Sequence, residues 1–164
     1  MNFLDQIPIV STVPRNHGVE HATIHVLASR LQNLSLVGHA TLDGFNLYGE
    51  VEADQVESAA NEALRRLRAG DSRLVIHPNC GTNFATAGML AGIAAWLASY
   101  GKDSASKLPR IIMASTVALI FALPLGLSVQ EYVTTSPLVG EARVLGVERS
   151  KRGSMTVHRV RLSR

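Results

Sequence analysis

Residues 15–25 read RNHGVEHATIH, a stretch that places His17, His21 and His25 four residues apart, with Glu20 directly before His21. On an α-helix, positions four apart point the same way and lie about 6 Å from each other. His17 and His21 could therefore grip one ion. His17 to His21 spell H-x-x-E-H, the inverted form of the zinc-hydrolase helix motif. In that motif two imidazoles hold the metal and the carboxylate activates a water as general base, the role that falls to Glu20. Asn16 is read as the N-cap of a helix running to about Leu34. The imidazoles would then feel the positive end of the helix dipole, which favours the neutral, metal-binding form. His25 reads as a helix-face histidine with a core partner.

A second stretch, IHPNCGTNF at 76–84, sets His77 and Cys80 three apart around Pro78-Asn79. That dipeptide favours a tight turn, so both side chains can converge. Both are good zinc ligands, and catalytic zinc sites keep three protein ligands and a water. Thr82 is read as the cap of the following helix, whose amides would lower the Cys80 thiol pKa. Cys80 is open to three roles: ligand, nucleophile or small buried residue. The predicted metal ligands are His17, His21, His77 and Cys80, with Zn²⁺ or another divalent transition metal as the ion.

These two blocks resemble the H-G-x-E-H-x-T-I and H-x-x-C-G-T-x-F blocks of the YqhQ-like bacterial membrane proteins, an uncharacterised family described as predicted metal-dependent enzymes. The run RNHGVEHATIH resembles still more the small relatives of that group in cyanobacteria and green nonsulfur bacteria. The resemblance implicates His17, Glu20 and His21 in the first block, and His77, Cys80, Gly81 and Thr82 in the second. It implies a metal-dependent membrane enzyme and brings no substrate with it.

The elements that must position these residues follow from the apolar pattern. FATAGMLAGIAAWLASY (84–100) and IIMASTVALIFALPLGLSV (111–129) carry no charge and approach the roughly 20 residues that a spanning helix needs. With the polar turn GKDSASKLPR between them, they predict a two-helix transmembrane hairpin over 84–129. Small residues in the first run (Ala87, Gly88, Ala91, Gly92, Ala94, Ala95) allow close helix contact, and a bilayer tolerates Pro124. Residues 1–83 predict a metal-binding α+β domain. Its strands lie within 34–51 and are joined by an Asp43-Gly44 turn. An amphipathic helix over 53–70 follows, with Val56, Ala60, Ala63, Leu64 and Leu67 as its stripe, and then a strand RLVIH ending at His77. Residues 130–164 form a basic C-terminal segment, read as a β-hairpin around Lys151–Ser154 that packs on the same side. The overall class is α+β.

Seven basic residues against Glu141 and Glu148 give the segment from Glu141 a net +5 and leave −2 for the rest. Such a tail suits anionic lipid head groups or a solvated face. It lacks the interleaved aromatics of single-strand nucleic-acid binders, so no nucleic-acid partner is expected. A single cysteine allows no internal disulfide, and the start, MNFLDQIPIV, lacks the form of a secretory signal. Thirteen of the sixteen Lys/Arg lie outside the hairpin. The positive-inside rule then places both termini in the cytoplasm, with the protein in the bacterial inner membrane. His39 and His158 are read as solvent-facing, and Asp43, Glu50 and Glu52 as turn and surface carboxylates, with completion of a metal shell as their alternative use. Expected partners are the lipid bilayer and a membrane-associated substrate or membrane protein complex. The predicted function is a membrane-anchored zinc-dependent hydrolase, with a non-catalytic accessory or assembly protein carrying a structural metal site as the alternative.

Overall fold

The structure, a computed structural model, describes residues 8–101 and 106–163, with side chains from Ser11 onward. The start of the chain, Lys102 to Ala105 of the polar turn, and Arg164 lie outside the described residues. The elements form an α+β fold in two compact units, Met1–Ile76 with Glu131–Arg164 and His77–Gln130.

In the first unit, α1 (Pro8–Arg30) is the central helix. Val19, Ala22, Val26 and Leu27 are buried, and so are Glu20, His21 and Thr23 around the other side. A helix covered all round belongs in a core. The helix starts well before Asn16, so Asn16 is an interior position rather than the cap; its amide donates to the Thr41 carbonyl at 2.7 Å. The carbonyl of Pro14 accepts from Ser136 N at 2.9 Å.

Strands β1 (Val37–Thr41) and β2 (Gly44–Tyr48) form the expected hairpin, but Leu42-Asp43 makes the turn and Gly44 follows it at φ 145°. Helix α2 (Ala53–Arg68) carries the predicted stripe, with Ala59 also buried, and opens on a Glu52–Gln55 capping box. The predicted strand RLVIH is instead a 3-10 turn, Ser72–Val75. The carbonyls that a strand would offer to a sheet are taken by imidazoles: His21 donates to Val75 O and His25 to Ile76 O. Strands β3 (Val144–Arg152) and β4 (Met155–Leu162) form the C-terminal hairpin. The antiparallel sheet has the order β1-β2-β4-β3, so the C-terminal hairpin completes the N-terminal sheet.

Phe45 faces Val160 and Leu47 faces His158 across β2 and β4. This puts His158 on the core face with Val160 and Leu162, where it is fully buried rather than solvent-facing. His39 is exposed, as expected. Asp43 pairs with Arg159, Glu50 and Glu52 with Arg149, and Glu148 with Arg161. Three arginines of the basic segment are thus engaged within the protein.

Burial, then the positive field of Arg149, holds the His158 imidazole below its ordinary pKa of 6.5. A depressed pKa gives stability that is complete above the unfolded value and lost as pH falls towards the folded one. Unfolding temperature is therefore expected to drop as pH is lowered from about 6.5. His158→Leu should flatten that dependence, as read from melting curves between pH 8 and 5. An unchanged slope would rule out His158 as its source.

In the second unit, α3 (Gly81–Ala98) and α4 (Lys107–Val129) form an antiparallel helical hairpin. Ser115 donates to Ala91 O at 3.4 Å and Arg110 to Ala98 O at 2.9 Å. Ala87, Ala91, Ala94 and Ala95 are half-buried, whereas Gly88 and Gly92 face outward. Helix α4 continues into a π turn, Gln130–Thr134. Together they make 28 residues, the one helix among the described residues long and apolar enough to cross a membrane. The expected pair of spans is therefore reduced to one. Helix α3 has 18 residues, about 27 Å, at the short end of what a spanning helix needs, and opens on the polar Thr82 and Asn83.

Candidate metal centre

Helix α1 brings His17 and His21 onto one face, with ring centroids 4.3 Å apart at 64°. Backbone carbonyls fix both rings. His17 Nδ1 lies 2.8 Å from Thr134 O, and His21 Nδ1 lies 2.6 Å from Val75 O. A carbonyl can only accept, so each Nδ1 carries the proton and each neutral ring presents its lone pair at Nε2. Metal-binding histidines are wired in this way, with one nitrogen donating to a carbonyl and the other meeting the ion. The Thr134 carbonyl lies at the C-terminal end of a long helix. The negative end of that dipole strengthens its hold on the Nδ1 proton.

His25 is wired the other way: its Nε2 lies 2.9 Å from Ile76 O. It ties α1 to the segment after the 3-10 turn. Gly18, between His17 and His21, lets Ser136 approach so closely that a Cβ would collide with its carbonyl. That approach brings the Thr134 segment within reach of His17.

Because α1 begins at Pro8, His17 stands in its third turn. That lies beyond the first turn, where a helix dipole is felt. The carbonyl bonds instead fix the tautomer, with the proton on Nδ1.

Glu20 is 3 % exposed, and its carboxyl packs where a Cβ on Gly38 of β1 would collide with it. Consecutive helix residues are rotated by about 100°. Glu20 thus lies on the sheet-facing side of α1, and His21 on the side of the 3-10 turn.

In the second unit Cys80, not Thr82, is the N-cap of α3; its Sγ accepts from Thr82 N at 3.4 Å. Its thiol is buried and forms no disulfide. His77 opens the turn, its carbonyl accepting from Cys80 N at 3.2 Å. His17 and His21 are donors that the first unit could offer a metal ion, and Cys80 is one that the second could.

Two polar residues that sequence reasoning passed over belong to this turn. Asn83 donates to Pro78 O at 2.6 Å, and Gln130 donates to Asn83 Oδ1 at 2.7 Å. Asn83 lies inside the HPNCGTNF block, and Gln130 ends an apolar run that has no other need of a carboxamide.

A family model, described as a domain of unknown function, DUF6391, matches residues 12–147. The chain belongs to the DUF6391 family. The match takes in both the RNHGVEHATIH and HPNCGTNF stretches. An uncharacterized protein of the cyanobacterium Picosynechococcus is 35% identical over 150 residues, covering 83% of this chain and 72% of that protein. No solved structure matches the chain. DUF6391 is thus an uncharacterised family with a cyanobacterial relative.

Proposed function

We propose that this DUF6391 protein is a membrane-anchored metal-binding protein, with a zinc ion or a similar divalent transition metal held by Nε2 of His17, Nε2 of His21 and Sγ of Cys80. The observation that carries this reading is the pair of Nδ1 bonds to Thr134 O and Val75 O. They give two neighbouring imidazoles the same tautomer, with both lone pairs on Nε2. Two imidazoles and a thiolate suit zinc. The likeness of both blocks to the YqhQ-like proteins, predicted to be metal-dependent enzymes, points the same way.

Three protein donors leave one coordination position for water, the composition of a catalytic zinc site. Bound zinc would supply a water acidic enough to ionise near neutral pH. The reaction class that follows is hydrolysis of a peptide, an amide or a lipid-linked ester. Helix α4 supports the anchor: its outward side chains Ile112, Ile120, Phe121 and Leu123 are all more than half exposed. A chain anchored by such a helix favours a membrane-associated substrate.

The second reading, a structural metal site in an accessory protein, is favoured by Glu20. Its carboxyl sits against Gly38 rather than on the His21 side of α1, and His77 as a fourth ligand would close the coordination shell.

Glu20→Gln and His17→Ala separate the two. Metal content, fold and hydrolysis of ester and peptide probes are measured on detergent-purified protein. In the hydrolase, Glu20→Gln keeps metal and fold and loses turnover by about 10²- to 10⁴-fold. Should Glu20→Gln change nothing while His17→Ala unfolds the chain, the ion is structural. Wild-type protein without stoichiometric metal after gentle purification would contradict both.

A further inference from the structure

The base of the helical hairpin holds two buried carboxamides that neither the anchor nor the donor set explains. Gln130 is 0 % and Asn83 7 % exposed. Gln130 Oε1 accepts from His77 N at 3.0 Å, and its Nε2 donates to Asn83 Oδ1 at 2.7 Å. Asn83 Nδ2 donates to Pro78 O at 2.6 Å, and Asn83 N donates to Cys80 O at 3.0 Å. The two side-chain amides thus hold the backbone of His77 and Pro78 from one side, and the Asn83 main chain holds that of Cys80. Gly126 of α4 makes room for them, since a Cβ there would stand 2.6 Å from Asn83 Oδ1.

Burying two amides is costly unless every polar atom is paired, and apolar side chains would serve packing alone as well. A fully paired buried network fixes one arrangement. Elsewhere the contact between α3 and α4 is made largely by small residues, with the Ser115 and Arg110 bonds to Ala91 O and Ala98 O as its polar ties. The carboxamide pair locks the register at the end where Cys80 emerges.

We propose that Asn83 and Gln130 are positioning residues for Cys80, clamping the His77–Cys80 turn so that its thiolate is held as a metal ligand; this rests on the metal-binding reading above. The π turn Gln130–Thr134 then has a use at each end. Its first residue clamps the Cys80 turn, and its last supplies the carbonyl that orients His17. Single π turns recur at functional sites.

The test uses the full chain in detergent, with Co²⁺ as the metal probe and iodoacetamide as the thiol probe. Gln130→Leu should weaken Co²⁺ binding by about 10- to 100-fold, as loss of an outer hydrogen-bond partner does. It should also weaken the cobalt–thiolate charge-transfer band and speed alkylation of Cys80 in metal-free protein. Gly126→Ala, which crowds Asn83 without removing a polar group, should shift all three the same way and decides the matter if Gln130→Leu fails to fold. Ser128→Ala, an exposed hydroxyl bonded only along its own helix, should shift none. Wild-type Co²⁺ affinity and wild-type alkylation rate in both Gln130→Leu and Gly126→Ala would overturn the proposal. If the wild-type chain binds no Co²⁺, the metal reading itself fails, and the alkylation rates alone then decide whether the clamp positions Cys80.

Discussion

His21→Ala is expected to abolish stoichiometric metal binding, whereas His25→Ala is expected to retain it. The two residues are closely matched controls. Both lie on α1, and both donate to consecutive carbonyls, Val75 O and Ile76 O. They differ in which ring nitrogen makes that bond. His21 donates from Nδ1, which leaves Nε2 for the proposed ion; His25 donates from Nε2. Loss of either ring strands a carbonyl, at about 1–3 kcal/mol where it is buried, so both variants should melt lower. His21 is 2 % exposed and His25 only half-buried, so His21→Ala is the more destabilised. Only His21→Ala should lose the ion. Elemental analysis with parallel melting curves makes the measurement. Equal metal content in the two variants would remove the tautomer argument on which the proposed centre rests.

Ile120→Arg should release the protein from membranes. Ile120 lies near the middle of α4 and is 68 % exposed. An arginine at the centre of a spanning helix costs about 2.5–3.5 kcal/mol on insertion scales, against a small gain for the isoleucine it replaces. That shifts the insertion equilibrium by roughly two orders of magnitude or more. Leu42→Arg, at a 55 % exposed position in the β1–β2 turn of the other unit, should leave membrane retention unchanged. Carbonate extraction of membranes from expressing cells reads both. Wild-type chain found in the aqueous fraction, or full retention of Ile120→Arg, would mean that the apolar surface of α4 is covered by protein rather than lipid.

Local periodicity made much of the fold legible. The stripe of α2 and the two β-hairpins follow from short-range patterns that tertiary contacts reinforced. The RLVIH segment misled because a short apolar run is ambiguous between strand and buried turn. Its carbonyls found imidazoles instead of a neighbouring strand. His158 misled because the basic residues around it mask an alternation. Positions 158, 160 and 162 are His, Val and Leu, and positions 159 and 161 are Arg. Read with period two, the sequence does place His158 on the core side. Asn16 has the look of a cap although helix α1 begins at Pro8, and nothing local shows that its amide reaches Thr41.

The sequence by itself determined the donor types and the helical interval between His17 and His21, because a four-residue repeat fixes which side chains share a helix face. It also determined that α4 is apolar enough to span a bilayer, since that depends only on composition and length. Only the tertiary structure decided which ring nitrogen each histidine presents. The carbonyls that settle it, Val75 and Thr134, come from segments 54 and 117 residues away, and backbone carbonyls leave no signature in residue identity. The burial of Glu20 against a glycine of β1, and the clamp that Gln130 places on the Cys80 turn, were hidden for the same reason. Each depends on a close approach between distant parts of the chain, and no pattern within a single segment encodes it.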